Sequence, residues 1–237
     1  MKRAACIQPN FFPWIGYYEI IKFVDIFFVL DDVQYTKRDW RNRNFINSSG
    51  KKTIITIPVE TKGKIFQKIN ETKIYGNDWP EKILNNIKSS YEKISYYKLI
   101  LPIIKLILKK EEMYLSKITL ASLIEIMKFL DIKNNILLTS NYKFEPDIEK
   151  NQRIIDICKK FEITNYLTGP SALSYLNPEI FKKNNITLEI IEYKKQINYV
   201  EDRNFIFLNN LSIIDLLFHR GKESKNFLQE IKFKTFI

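Results

Sequence analysis

Two short apolar segments near the start of the chain are each followed by a cluster of polar and aromatic side chains. The first segment, Arg3–Ile7, precedes Gln8, Asn10 and Trp14. The second, residues 25–30, precedes a longer set: Asp31, Asp32, Gln34, Lys37, Arg38, Trp40, Asn42, Arg43 and Asn44. Carboxylates and amides bind hydroxyl groups, arginine binds phosphate bidentately, and tryptophan stacks on the faces of sugars and bases. These residue types predict a binding site for a polar, phosphorylated ligand.

The paired carboxylates Asp31 and Asp32 support two interpretations. They follow an apolar strand, so they can bind sugar hydroxyls or take a proton from an attacking amine, since a partly buried carboxylate is a better base than a free one. Alternatively, one of the two only caps the end of the strand.

The basic segment at residues 37–44 also supports two interpretations. Its three guanidinium groups lie beside Trp40 and two amide side chains, a combination that suits a nucleotide sugar or another phosphorylated ligand. Alternatively, the segment forms a hairpin whose basic residues neutralise Asp31 and Asp32.

A strand, turn, helix and strand must position these residues. Pro9, Pro13 and Gly16 oppose any regular element, so an irregular turn follows the first strand, and a short amphipathic helix follows the turn. The next strand covers residues 25–30. A right-handed crossover makes the two strands parallel, and ligands of open α/β sheets bind beyond the carboxyl ends of the strands. We therefore expect both polar loops to meet at one rim.

The rest of the chain alternates strands and helices around a helical segment. Residues 53–57 and 64–74 are predicted as strands, and residues 78–130 as three helices at 80–91, 96–108 and 113–130. Further strands are predicted at 135–140, 164–168 and 187–193, and a helix at 150–161. The predicted class is α/β, with a mainly parallel sheet flanked by helices. We expect one domain over residues 1–237, with a helical subdomain at 78–130.

Two later segments add candidate residues. Gly169, Pro170 and Ser171 follow a predicted strand, where a glycine turn can present N–H groups to an anion, although a plain strand-to-helix turn capped by Ser171 is favoured. Asp215 and His219 lie four residues apart on a predicted helix, where they can form an acid–base pair. A lone histidine more often has a structural role.

Composition limits the classes of function. The 237 residues are 45% hydrophobic and carry a net charge of +11, but the lysines are scattered in pairs, which favours solvated faces over a nucleic-acid surface. Cys6 and Cys158 are expected to be buried free thiols, and with a single histidine they predict no metal site. No apolar stretch approaches the roughly 20 residues of a membrane helix, and no leader peptide is apparent, so we expect a cytoplasmic protein without membrane insertion.

Four blocks of the sequence together resemble the WbqC-like protein family. The blocks are IQPNFFPWIGYYEII, DIFFVLDDVQYTKRDWRNRN, YLTGPSALSYL and FLNNLSIIDLLF, and they span nearly the whole chain. The resemblance implies a role in making O-antigen lipopolysaccharide or another surface polysaccharide, by transfer of glycine or a similar small acyl group to an amino sugar. The motif positions that it implies are Gln8, Pro9, Gly16, Tyr17, Asp31, Asp32, Gln34, Lys37, Trp40, Arg43, Asn44, Gly169, Pro170, Ser171 and Asp215.

The implied reaction assigns roles to these positions. Asp31 or Asp32 is the candidate base, and the candidate oxyanion donors are Gln8, Asn10 or backbone N–H groups of the first loop. The candidate phosphate clamp consists of Lys37, Arg38 and Arg43. The expected acceptor is a nucleotide-linked amino sugar, and the donor is an aminoacyl-tRNA, an adenylate made with ATP, or an acyl thioester. The alternative is a noncatalytic subunit that binds a nucleotide sugar or carbohydrate.

Overall fold

The structure of the protein is a computed structural model that describes residues 1–109, 112–145 and 149–236. Within these ranges the chain forms eight β-strands and seven α-helices. The strands are β1 (Arg3–Ile7), β2 (Ile26–Val29), β3 (Arg43–Ser48), β4 (Lys51–Thr56), β5 (Asn135–Leu138), β6 (Asn165–Thr168), β7 (Thr187–Glu192) and β8 (Lys232–Phe236). The helices are α1 (Ile15–Phe23), α2 (Trp79–Tyr91), α3 (Tyr97–Leu108), α4 (Leu115–Phe129), α5 (Lys150–Lys160), α6 (Pro178–Lys183) and α7 (Ile213–Arg220).

Six strands form one sheet in the order β5–β2–β1–β6–β7–β8. The first five run parallel to their neighbours, and β8 is antiparallel to β7 at the edge. The predicted α/β class, with a mainly parallel sheet flanked by helices, is confirmed. The chain extends from β1 to one side through β2 and β5, and later to the other side through β6 and β7. The strand order therefore reverses between β1 and β6, where open α/β sheets leave a crevice at their carboxyl edge.

Successive side chains of β2 enter opposite faces of the sheet, as the pleat of a strand requires. Phe27 belongs to the hydrophobic cluster that includes residues of α1 to α4 and α7, whereas Phe28 belongs to the cluster that includes residues of α5 and α6. All four residues of β2 are buried. A parallel strand covered on both faces must be apolar throughout, which explains the sequence Ile-Phe-Phe-Val.

The three helices predicted within residues 78–130 are present as α2, α3 and α4. Pro80 lies in the first turn of α2, where its missing N–H leaves no helical hydrogen bond unmade. Ile83, Ile104 and Ile118, one from each helix, are buried in the same cluster as Phe27 of the sheet. The helical segment therefore shares one hydrophobic core with this face of the sheet. Within the described ranges, none of the helices has the length and apolar character needed to span a bilayer.

Residues 43–56 form an antiparallel hairpin outside the main sheet. β3 and β4 pair from Arg43–Thr56 to Ser48–Lys51, and Ser49 and Gly50 turn the chain with positive φ angles of 51° and 76°. The strand predicted at residues 53–57 corresponds to β4. The alternative interpretation placed the basic segment at residues 37–44 in a hairpin. The observed hairpin begins only at Arg43, near the end of that segment.

The strand predicted within residues 64–74 is wrong. A 3₁₀ turn at Ile69–Glu71 lies in this region, and the neighbouring pairing consists of isolated bridges such as Gln34 with Lys68. Ile69 is buried whereas Ile65 and Phe66 are both exposed, so the side chains do not alternate as they do in a strand.

Asp215 lies in the interior of the fold, between α7 and its neighbours. Its carboxylate is fully buried and accepts hydrogen bonds from the hydroxyls of Tyr91 at 2.6 Å and Tyr199 at 2.7 Å. The Tyr91 hydroxyl in turn accepts the N–H of Asn47 at 3.0 Å. Burial raises the pKa of Asp215, although the two hydroxyls and the nearby His219 oppose this. These bonds join α2 and β3 to α7, so the buried carboxylate of Asp215 holds these elements together.

His219 lies one turn after Asp215 on α7, among aromatic side chains. Its ring packs against Tyr199 and Phe205, with centroid distances of 6.1 and 5.6 Å. Burial lowers its pKa, which favours the neutral ring. The structural interpretation of this histidine is therefore the better one.

We expect Tyr91→Phe to destabilise the protein more than Tyr199→Phe. Both rings are buried, but the Tyr91 hydroxyl has two buried partners and the Tyr199 hydroxyl one. Leaving both the Asn47 N–H and the Asp215 carboxylate short of a partner should cost about 2–4 kcal/mol, against about 1–3 kcal/mol for Tyr199→Phe. Urea unfolding followed by circular dichroism measures both free energies. Equal losses would show that the Asn47 bond contributes nothing.

Candidate functional site

The loop between β1 and α1, residues 8–14, is fixed by side chains from distant parts of the chain. The Asn44 side-chain amide donates to the backbone carbonyls of Phe11 at 3.1 Å and Phe12 at 2.8 Å. The hydroxyl of Ser212 donates to the same Phe12 carbonyl at 2.8 Å. Both phenylalanines are fully buried. Buried carbonyls outside regular structure need such donors, so Asn44 and Ser212 define the path of the loop.

The two polar loops predicted from the sequence meet. The backbone N–H of Phe11 donates to the carbonyl of Trp40 at 3.0 Å, and the guanidinium of Arg41 donates to the side-chain carbonyl of Asn10. The loop after β1 and the segment after β2 thus form one continuous rim.

A cavity of about 250 Å³ lies between these loops, and we call it the tryptophan pocket. Its lining residues are Asn10, Trp14, Trp40, Asn44 and Asn210. The sequence predicted the first four. Asn210 was not predicted. Its backbone adopts the left-handed conformation (φ 57°), which asparagine tolerates better than most residues. The two aromatic rings can stack on a sugar or base, and the amides of Asn10 and Asn210 can bind its hydroxyl groups.

Gly16 and Tyr17 are buried in α1, behind the rim. A Cβ atom on Gly16 would lie 2.2 Å from Cη2 of Trp14, so glycine is required to admit the indole ring. The Tyr17 hydroxyl donates to the backbone carbonyl of Gln8 at 3.1 Å, and the ring is buried. Both residues therefore shape the loop and do not offer a surface to a ligand. The Gln8 side-chain carbonyl is itself buried, with no hydrogen-bond donor among the described residues.

The two aspartates after β2 are held by the end of β5. Asp31 is 3% exposed and accepts the Ser140 N–H at 3.0 Å and the Ser140 hydroxyl at 2.7 Å. Asp32 accepts the Thr139 hydroxyl at 2.6 Å and pairs with the Arg153 guanidinium at 2.5 Å. Each carboxylate therefore accepts a hydrogen bond on both oxygens and still has lone pairs that can accept a proton. No group of three potential metal ligands occurs among the described His, Cys, Asp and Glu side chains.

A second cavity of about 240 Å³ lies beside Asp31, and we call it the carboxylate cavity. The polar residues that line it are Asp31, Asn70, Ser116, Lys117, Ser140 and Asn141. Ser116 and Lys117 belong to the first turn of α4, so the helical segment forms part of the cavity wall. Pro9 also lines this cavity, whereas the next residue, Asn10, lines the tryptophan pocket. The loop after β1 therefore separates two neighbouring cavities.

The basic segment divides into exposed and buried cations. Lys37 and Arg38 are exposed, and Arg43 donates to the backbone carbonyl of Arg38. Arg41, which the sequence did not single out, has a side chain only 12% exposed and pairs with Asp39 at 3.1 Å. Burial alone would raise the pKa of Asp39, but the charge of Arg41 and several hydrogen bonds lower it overall. Only the exposed cations are free to meet a ligand.

Gly169 and Ser171 fit a plain turn. A Cβ on Gly169 would lie 3.1 Å from the hydroxyl of Tyr193. The Tyr193 ring also packs against Trp14, with the ring centroids 5.3 Å apart. Ser171 is exposed in the 3₁₀ turn Pro170–Ser174. Gln34, another motif position, donates its side-chain amide to the backbone carbonyl of Ile65 at 2.9 Å.

These features define a class: an α/β protein in which polar loops at the carboxyl edge of a mainly parallel sheet form two adjoining cavities. The chain belongs to the WbqC-like protein family, whose model matches residues 8–227. It is 35% identical over 230 residues to "Uncharacterized protein Rv1507c" of Mycobacterium tuberculosis, and the match covers 97% of this chain and 98% of that protein. No solved structure matches the chain. The family resemblance inferred from the four sequence blocks is confirmed.

We expect Asn44→Ala to destabilise the protein more than Asn42→Ala. Both asparagines are buried, but the Asn44 amide donates to two loop carbonyls and the Asn42 amide to the carbonyl of Ile57 alone. We expect losses of about 2–4 kcal/mol and about 1–2 kcal/mol, respectively. Chemical unfolding measures both, and a smaller loss for Asn44→Ala would contradict its assigned role in fixing the loop.

Proposed function

We propose that this protein transfers glycine or a similar small acyl group to a nucleotide-linked amino sugar during assembly of a surface polysaccharide such as the O-antigen. Membership of the WbqC-like family supports the pathway. The observation that carries the proposal is that Pro9 and Asn10, consecutive residues of one fixed loop, line two different cavities. A transferase needs two substrates held side by side, and such positioning supplies much of its rate enhancement.

The tryptophan pocket suits the amino sugar. The indole rings of Trp14 and Trp40 offer apolar faces, and amide groups around them can bind hydroxyls. Trp40 is 44% exposed, so a ligand can reach its ring. Lys37 and Arg38 lie exposed two to three residues before Trp40, where they can bind the phosphates of a nucleotide.

The carboxylate cavity suits the acyl donor. Amide formation joins the amine nitrogen to the acyl carbon, expels the activating group and releases a proton from nitrogen, so a proton acceptor and a cation for the leaving group are both useful. Lys117 and the hydroxyls of Ser116 and Ser140 line this cavity beside Asp31. The donor is an aminoacyl-tRNA, an adenylate made with ATP, or an acyl thioester. The first two carry phosphate, which the net charge of +11 favours.

Asp31 is the proposed base, acting through Ser140. The Ser140 hydroxyl is 2.7 Å from an Asp31 carboxylate oxygen and belongs to an exposed residue, whereas Asp31 itself is buried. The hydroxyl can take the proton of the amine while passing its own proton to Asp31. Asp32, which pairs with Arg153, is proposed to orient this edge of the sheet. The side-chain amide N–H of Gln8 is the proposed oxyanion donor.

Mass spectrometry of purified protein with amino-sugar nucleotides tests the reaction. The mixtures contain ATP and amino acids with or without tRNA, or an acyl thioester, and we expect a mass gain on the sugar in one of them. Asp31→Asn and Ser140→Ala should each lower turnover by about 100-fold or more, because each removes a link in proton transfer. Sugar-nucleotide binding should stay measurable in both. Normal turnover in Asp31→Asn would show that another group is the base.

Calorimetric titration tests the acceptor pocket. We expect Trp14→Ala and Trp40→Ala each to weaken binding of the sugar nucleotide by about tenfold, through loss of stacking. Tyr75→Ala is the matched control, because this aromatic side chain is 68% exposed and does not line the tryptophan pocket. An equal effect of all three changes would argue against this pocket.

One observation favours a noncatalytic sugar-binding subunit as the second candidate. The carboxylates of Asp31 and Asp32 are both engaged by hydroxyl, N–H or guanidinium donors, as in a purely structural arrangement. This candidate predicts that the protein binds the sugar nucleotide and consumes none of the donors. The same mass spectrometry experiment distinguishes the two.

A further inference from the structure

The loop at residues 61–68 exposes two adjacent large apolar side chains. Ile65 is 64% exposed and Phe66 is 84% exposed. A single exposed apolar residue is ordinary, but two neighbours at the tip of one loop leave apolar area that burial elsewhere would stabilise. We call residues 61–68 the apolar loop.

The backbone of the apolar loop is held in place. The Gln34 side-chain amide donates to the carbonyl of Ile65 at 2.9 Å, and the Tyr35 N–H donates to the carbonyl of Gln67 at 2.9 Å. The exposure of the apolar pair is therefore imposed by the surrounding fold, because the loop cannot fold inward without losing these bonds.

Exposed cations flank the apolar pair in the sequence. Lys62, Lys64 and Lys68 lie within the loop, and the exposed Lys37 and Arg38 follow closely after Gln34 in sequence. Among the nearby carboxylates, Glu60 pairs with Lys64, and Glu71 accepts the backbone N–H of Lys68 at 3.1 Å. Asp32 and Glu145 line a cavity together with Lys68. The cations exceed these acids in number.

We propose that the apolar loop docks the protein on an anionic lipid bilayer. Ile65 and Phe66 enter the boundary between headgroups and acyl chains, while Lys62 and Lys68 contact the negative headgroups. A second copy of this chain is a poorer partner, because a symmetric contact would place these lysines against their own counterparts. Docking of this kind requires no membrane-spanning helix.

Docking would bring the candidate site close to the bilayer. Just beyond the loop, the Ile69 N–H donates to the carbonyl of Val33 at 2.9 Å, and the Asn70 N–H donates to the carbonyl of Asp31 at 2.8 Å. The carboxylate cavity, which Asp31 and Asn70 line, therefore adjoins the docked surface. The docking itself does not depend on the proposed transfer reaction.

Co-sedimentation with vesicles tests the proposal. We expect binding to phosphatidylcholine vesicles that contain phosphatidylglycerol, little binding to phosphatidylcholine alone, and weaker binding at high salt. Phe66→Ser should lower the partition coefficient by about tenfold or more. Lys62→Glu and Lys68→Glu should each lower it by roughly fivefold or more.

Ile65→Ser and Ile206→Ser form a matched pair, since the two side chains are 64% and 63% exposed and only the first belongs to the apolar loop. We expect only Ile65→Ser to weaken vesicle binding, with unchanged melting temperatures for both. Equal losses, or failure of the unmodified protein to bind anionic vesicles, would overturn the proposal. So would a loss of self-association in Phe66→Ser without any vesicle binding, which would identify a protein interface.

Discussion

The buried carbonyls of the loop between β1 and α1 set the constraint on which the site depends. Pro9 and Pro13 prevent a regular hydrogen-bonding pattern, so the peptide groups of Phe11 and Phe12 must find donors elsewhere. The Asn44 amide supplies a donor to each carbonyl, from more than thirty residues away in sequence. An unpaired buried carbonyl costs about 1–3 kcal/mol, which is a substantial fraction of the stability of a typical domain. The hydrogen bonds of one side chain thus fix the loop against the hairpin.

The position of the hairpin in turn fixes one wall of the tryptophan pocket. β3 does not pair with the main sheet, and its contacts with the rest of the protein include the Asn44 amide and the Asn47 N–H, which donates to the Tyr91 hydroxyl of α2. Trp40 lies just before β3, so one part of the tryptophan pocket is attached to the hairpin, and Asn10 and Trp14 attach another part to the loop after β1. A site assembled from elements held by buried polar bonds is preorganised, which is what a reaction between two bound substrates requires.

The sequence predicted the elements better than the directions of the side chains. The run of four apolar residues in β2 and the position of Pro80 are local signals, and they identified a buried strand and a helix start. Gly16 and Tyr17 are motif positions that face the interior of the loop, because a family motif marks a required residue without showing whether a ligand or the core requires it. Arg41 resembled its neighbouring arginines in sequence, and only its contact with Asn10, made by folding, distinguishes it.

Ser140 illustrates the same limit at the centre of the proposed chemistry. In sequence it was simply the end of a predicted strand, whereas Asp31 had the residue type of a base. The structure reverses their accessibility, since Asp31 is buried and Ser140 is exposed with its hydroxyl on the Asp31 carboxylate. A buried carboxylate with a hydroxyl on one oxygen can exchange a proton through that hydroxyl. In the proposed reaction, the proton that leaves the amine therefore passes to Asp31 by way of the Ser140 hydroxyl.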